Sequence, residues 1–110
     1  MPERMVLQAG ALDETLAAAA GADPQLMAEL RQAFAESLAH HVDLLGRARC
    51  DANWHTTIER IGGLAASFGV QPLIDLAHRA RSAAPGEPTI LRALQGFLAD
   101  LAPGTDGEAA

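Results

Sequence analysis

Apolar side chains recur every three or four residues along most of the chain, which is the spacing of one face of an α-helix. The longest such stripe follows Asp23 and Pro24, which suit the N-cap and the first turn of a helix. Its members are Met27, Leu30, Phe34, Leu38, His41, Leu45 and Ala48. No segment alternates apolar and polar residues as a strand would. The pattern therefore predicts an all-α fold with a long amphipathic second helix.

Two further helices are marked by capping and stop signals. A short helix precedes the long one, with Asp13 as its predicted N-cap and Gly21 as its stop. The third helix is predicted to begin near Asp51 or Asn53, either of which has a side chain suited to an N-cap. Gly69 is predicted to end it.

The last two helices are separated by the loop at residues 83–88. Pro72 is expected in the first turn of the fourth helix, and the fifth is expected to begin near Pro88. The predicted inward stripes are Trp54, Ile58, Ile61, Ala65 and Phe68, then Leu73, Leu76, Ala77 and Ala80, then Leu91, Leu94, Leu98 and Leu101. We predict one domain over residues 1–102, an antiparallel up-down four-helix bundle with a short extra N-terminal helix, and a disordered tail over residues 103–110.

Charge and composition exclude several functions. The net charge of −6 and the pI of about 5.0 provide no basic surface for nucleic acid or an anionic membrane. No apolar run approaches the roughly 20 residues that span a bilayer, and the N-terminal residues lack a signal-peptide core. The single cysteine, Cys50, is expected to be a small filler near a helix end. We expect a cytoplasmic protein and leave monomer or homodimer open.

A second stripe on the third helix consists of His55, Glu59, Gly62, Gly63 and Ala66. These positions share one face, roughly opposite the apolar stripe, so the face should point to solvent. Each glycine destabilises a helix by about 1 kcal/mol relative to alanine, so two adjacent glycines are expected to have a structural or functional role. Either they keep the face flat for a partner, or they let a neighbouring helix of the same domain come close.

The segment ERIGGLAASFGVQPLIDLA resembles the central motif of histidine-containing phosphotransfer (HPt) domains, the four-helix carriers of bacterial phosphorelays. That motif runs H-x-L-K-G, then small residues, a helix end, and x-x-L-x-x-L-A. Ile61 falls on its leucine and Gly63 on its glycine; Phe68, Gly69 and Val70 fall on the helix end. The resemblance extends from Pro24 to Leu101 and implies a role in two-component signal transduction.

The chain departs from the motif where the chemistry occurs. Glu59 stands where the family has its phosphorylated histidine, and Gly62 stands where it has a lysine. The resemblance thus implies a pseudo-phosphotransferase, not an enzyme, that still binds response-regulator receiver domains. A sensor histidine kinase is a further expected partner. Gly63 and Ala66, with Gly62, would admit an apolar helix of the receiver. Arg60 could partly replace the lysine, although its position on the helix points about 100° away.

Alternatives remain at two histidines. His55, one turn before Glu59, could accept phosphate in a shifted register with Glu59 orienting its ring. His78 lies in the segment AHRARSAAPG, which weakly resembles the start of the motif, and it should lie at nearly the same height as Glu59. A helical scaffold without a signalling role is the third hypothesis. His55 and Glu59 alone would give a metal two ligands, so we predict no metal site and no cofactor.

Overall fold

All regular structure in the described part of the chain is α-helical. The computed structural model describes residues 10–21 and 23–101. Its helices are α1 (Gly10–Ala20), α2 (Pro24–Arg47), α3 (Asp51–Ser67), α4 (Gln71–Ala80) and α5 (Pro88–Leu101). The all-α prediction is confirmed, whereas the predicted tail at residues 103–110 lies outside the described residues. Within the described ranges, no helix combines the length and apolar character needed to cross a membrane.

Capping explains where the long helix α2 begins. The Asp23 carboxylate accepts hydrogen bonds from the backbone N–H groups of Gln25, at 3.0 Å, and Leu26, at 3.2 Å. Pro24 occupies the first turn, where the N–H it lacks would have no helical partner. The predicted start of this helix is confirmed.

Two other predicted caps are wrong. Asp13 lies inside the first turn of α1, and its carboxylate pairs with Arg31 of α2 at 3.0 Å instead of capping. Helix α3 already begins at Asp51, so its N-cap residue is Cys50, which makes no side-chain capping bond. Cys50 is exposed, and the expectation that it fills a gap is therefore also wrong.

Glycines end α1 and α3 as predicted. Gly21 and Gly69 have φ angles of +65° and +66°. This left-handed conformation is favourable only for residues without a Cβ, and it reverses the chain after a helix.

One buried cluster receives side chains from all five helices. The predicted stripes of α2, α3 and α4 lie in this core or against it, with Val42 as an unpredicted member. The stripe of α5 is centred differently: Ile90, Ala93 and Phe97 are buried with the predicted Leu94 and Leu101. The predicted Leu91 and Leu98 are only half-buried. The apolar face of α5 is so wide that periodicity alone does not identify its centre.

Helix α3 packs against both α2 and α4, and α1 and α5 pack against α2. The start of α3 meets the end of α4, because the buried Trp54 Nε1–H donates to the Ala80 carbonyl at 2.8 Å. Helices α3 and α4 therefore form an antiparallel hairpin that turns at Gly69. At that turn, the Thr15 side chain of α1 lies 3.5 Å from where a Cβ on Gly69 would be.

Candidate functional site

The second stripe of α3 reaches solvent along most of its length. His55, Glu59, Gly63 and Ala66 are exposed, and Gly62 is half-buried. The predicted orientation of this face is therefore confirmed.

The two adjacent glycines have different surroundings. A Cβ on Gly62 would lie 3.4 Å from the Ala77 Cβ of α4, so a longer side chain there would press on that helix. A Cβ on Gly63 would meet no atom within 4 Å. Gly62 thus permits close packing inside the hairpin, while Gly63 leaves the outer face flat.

A groove runs between α3 and α4 along this face, and we call it the α3–α4 groove. Its volume is about 400 Å³. It is lined by Ile58, Glu59, Gly62, Ala66, Ile74, Ala77, His78 and Arg81. Apolar and small side chains form most of its wall, and a carboxylate, an imidazole and a guanidinium provide its polar groups. Such a surface suits an apolar helix that carries a charged or polar group.

Arg81 is the one lining residue of chemical interest that the sequence reasoning missed. Its Nη2 lies 3.2 Å from Glu59 Oε2. Glu59 precedes the Gly69 turn by ten residues and Arg81 follows it by twelve, so the register of the hairpin brings them together. Counting outwards from Gly69 could have found this pair. The side chains are 54% and 62% exposed, so the ion pair adds less than about 1 kcal/mol and can readily exchange partners.

His55 is held by the end of α4. Its Nε2 lies 2.7 Å from the Arg81 carbonyl oxygen. A carbonyl only accepts hydrogen bonds, so Nε2 must carry the proton. In this geometry Nε2 has no lone pair with which to attack a phosphoryl group, and the lone pair of the neutral ring lies on Nδ1.

His78 lines the same groove as Glu59; its distance from the turn predicted the height but not the side that it faces. Its side chain is exposed, and the residues described provide no hydrogen-bond partner for its ring. Arg81 follows His78 by three residues on α4. The His78 ring is therefore accessible, and no hydrogen bond to the described residues competes with contacts to a binding partner.

Arg60 lies on a different flank of α3 from Glu59, as the angle between successive helical positions predicts. It lines a second groove, between α2 and α3, and not the groove that contains Glu59. Successive residues on a helix point about 100° apart, which carries the Arg60 side chain to the other flank of α3. The positive charge beside Glu59 comes from Arg81 instead.

No cluster of three or more His, Cys, Asp or Glu side chains that could hold a metal ion occurs among residues 10–21 and 23–101. Comparison of the chain with protein-family models, with curated proteins and with solved structures finds no significant match. The function is therefore argued from the motif and from the groove.

Proposed function

We propose that this chain is an HPt-like protein of a two-component phosphorelay that binds response-regulator receiver domains through the α3–α4 groove. We further propose that it accepts no phosphoryl group at position 59. The observation that carries the proposal is the exposed Glu59, at the motif's acceptor position, beside an open surface at Gly63. In this proposal α2 to α5 form the antiparallel four-helix bundle, α1 lies across one end, and the protein works in the cytoplasm.

The residue at position 59 accounts for the lost chemistry. A neutral imidazole can attack an aspartyl phosphate and form a transferable phosphoramidate. A carboxylate would have to form a mixed anhydride next to a highly charged phosphate. Glu59 lies 3.2 Å from Arg81 in an exposed ion pair, an arrangement suited to recognition of charged groups and not to activation of the carboxylate as a nucleophile.

The groove accounts for the retained binding. The half-buried Ile74 offers apolar surface, while Gly63 and Ala66 leave room for an incoming backbone. Because the Glu59–Arg81 pair is exposed, both side chains can turn toward charged groups of the receiver. A module of this kind would compete with an active carrier or recruit the regulator.

A phosphocarrier that uses His78 is the second candidate. His78 faces the groove, and Arg81 stands three residues later, the spacing at which the family's motif has its lysine. His55 is the weaker acceptor, because its Nε2 proton is committed to the Arg81 carbonyl.

Receiver binding can be tested with a matched pair of glycine substitutions. Gly63→Leu would fill the open face of α3, and Gly96→Leu would make the same change at an exposed position of α5. A Cβ at either position would meet no atom within 4 Å, and leucine favours a helix over glycine by up to about 1 kcal/mol, so both variants should fold. We expect Gly63→Leu to weaken receiver binding at least tenfold in calorimetry and Gly96→Leu to leave it within twofold.

The opposite results would contradict the proposed receiver-binding function. If receivers bind Gly63→Leu as tightly as the natural protein, the open face of α3 beside the α3–α4 groove is not part of the docking site. If no receiver of the same cell binds the natural protein, the scaffold hypothesis takes precedence.

A further inference from the structure

A second groove lies on the other flank of α3, between α3 and the end of α2, and we call it the α2–α3 groove. Its volume is about 330 Å³. It is lined by Leu44, Arg47, Ala48, Asn53, Thr56, Thr57 and Arg60. The proposed receiver site uses none of these residues.

The charge of this groove is opposite to that of the chain. Both of its charged lining residues are arginines, in a protein whose net charge is −6. Arg60 is exposed, and among the described residues no carboxylate pairs with it. Arg47 pairs with Asp43 at 2.7 Å, but the two side chains are 72% and 58% exposed. Such a surface pair is weak, so a competing carboxylate can displace Asp43.

The remaining lining residues provide hydrogen bonds and one apolar contact. Thr56 and Asn53 are exposed and carry donors that a carboxylate oxygen can accept from. Leu44 is one of two large apolar side chains that are exposed in the described part of the chain. The groove therefore matches a segment in which acidic side chains flank an aliphatic one.

The overall charge restricts the size of the ligand. Charges more than about 8 Å apart are largely screened at physiological ionic strength, so a short acidic segment senses mainly Arg60 and the Arg47–Asp43 pair. A long polyanion such as a nucleic acid would also meet the acidic remainder of the surface and be repelled.

We propose that the α2–α3 groove binds a short acidic peptide segment of a partner protein. Its carboxylates contact Arg60 and Arg47, and an aliphatic side chain packs on Leu44. Because Arg60 and Glu59 are about 100° apart around α3, this segment and a receiver can be bound at the same time. The inference stands independently of the receiver-binding proposal.

The test is fluorescence anisotropy with a labelled eight-residue peptide that has three glutamates around a central leucine. A second peptide has glutamines in place of the glutamates. We expect saturable binding of the acidic peptide with a Kd below about 1 mM, weakening as salt is added. Arg60→Gln should weaken it at least fivefold, whereas Arg92→Gln, an exposed arginine of α5, should leave it within twofold. Both substitutions are on the surface, so folding should be kept, as circular dichroism can verify.

Three results would overturn the proposal. The first is no saturable binding, or equal binding of the glutamine peptide. The second is unchanged binding by Arg60→Gln. The third is equally tight binding of a short oligonucleotide, which would make the groove a general anion site. Receiver binding by Arg60→Gln should stay as in the natural protein, and its loss would show that Arg60 belongs to the receiver surface after all.

Discussion

At the scale of single residues, Glu59 defines what the α3–α4 groove can do. Its carboxylate is exposed and lies 3.2 Å from the Arg81 guanidinium, so it is suited to electrostatic recognition. The sequence motif identified Glu59 directly, since the departure from histidine is visible in one position. It could not identify Arg81, because that contact depends on the register of two helices across a turn.

His41 shows a different consequence of a single side chain. Its ring is half-buried on the core-facing side of α2, and its Nδ1 is enclosed with no hydrogen-bond partner in the described residues. Burial lowers the pKa of His41 below its usual 6.5, and the nearby charges of His40 and Arg60 lower it further. The folded state therefore binds the proton less readily than the unfolded state does.

This residue predicts a pH-dependent stability. The stability that depends on neutral His41 is fully present above pH 6.5. The free energy of unfolding then decreases as the pH falls toward the lowered pKa of His41 in the folded state. We expect His41→Leu to raise the free energy of unfolding by about 1 kcal/mol at pH 7, because an unpaired buried nitrogen is removed. The advantage of the variant should grow on acidification to pH 5, as measured by urea denaturation. An advantage that shrinks at low pH would contradict this account.

At the scale of elements, the α3–α4 hairpin positions the proposed receiver site. Two hydrogen bonds tie the start of α3 to the end of α4: the buried Trp54 indole donates to the Ala80 carbonyl, and the exposed His55 ring donates to the Arg81 carbonyl. Both carbonyls lie at the C-terminal end of α4, where the regular helical hydrogen bonds stop, and the Ala80 carbonyl also accepts from the Ala83 N–H at 3.1 Å. These bonds keep Arg81 at the level of Glu59.

The two bonds should differ in strength because their burial differs. Trp54→Phe keeps an aromatic ring but removes a buried hydrogen bond, while the Ala80 carbonyl keeps its bond from the Ala83 N–H at 3.1 Å, so we expect a loss of roughly 1.5 kcal/mol in the free energy of unfolding. His55→Ala opens an exposed bond that water can replace, and its cost should stay below about 1 kcal/mol. Chemical denaturation of both variants measures this difference. A larger loss for His55→Ala than for Trp54→Phe would be inconsistent with the observed burial.

Periodicity predicted the elements well wherever the apolar face is narrow. The stripes of α3 and α4 follow the spacing of their apolar residues closely, and Gly69 ends α3 as its position predicts. The wide face of α5 and the starts of α1 and α3 were less predictable. Several polar residues near each start could cap, and the carboxylate of Asp13 is recruited by Arg31, which is distant in sequence.

At the scale of the whole molecule, the sequence predicted an all-α chain and the α3–α4 hairpin, but not the contacts between segments that are distant in sequence. Phe34 illustrates the reason: its ring centroid lies 4.9 Å from that of Phe68, the C-cap residue of α3, and 6.3 Å from that of Phe97 in α5. No local pattern encodes such contacts. The same limit applies to the two grooves, which form only where α3 meets α4 on one side and α2 on the other.

The most direct test of the central claim is phosphotransfer from a panel of phosphorylated receivers of the same cell, followed by intact mass. The natural protein, Glu59→His, His55→Ala and His78→Ala would be compared. We predict that the natural protein gains no phosphoryl mass while Glu59→His gains one, which would show a receiver dock without its acceptor. Labelling of the natural protein that His78→Ala or His55→Ala abolishes would contradict this account and identify a working carrier.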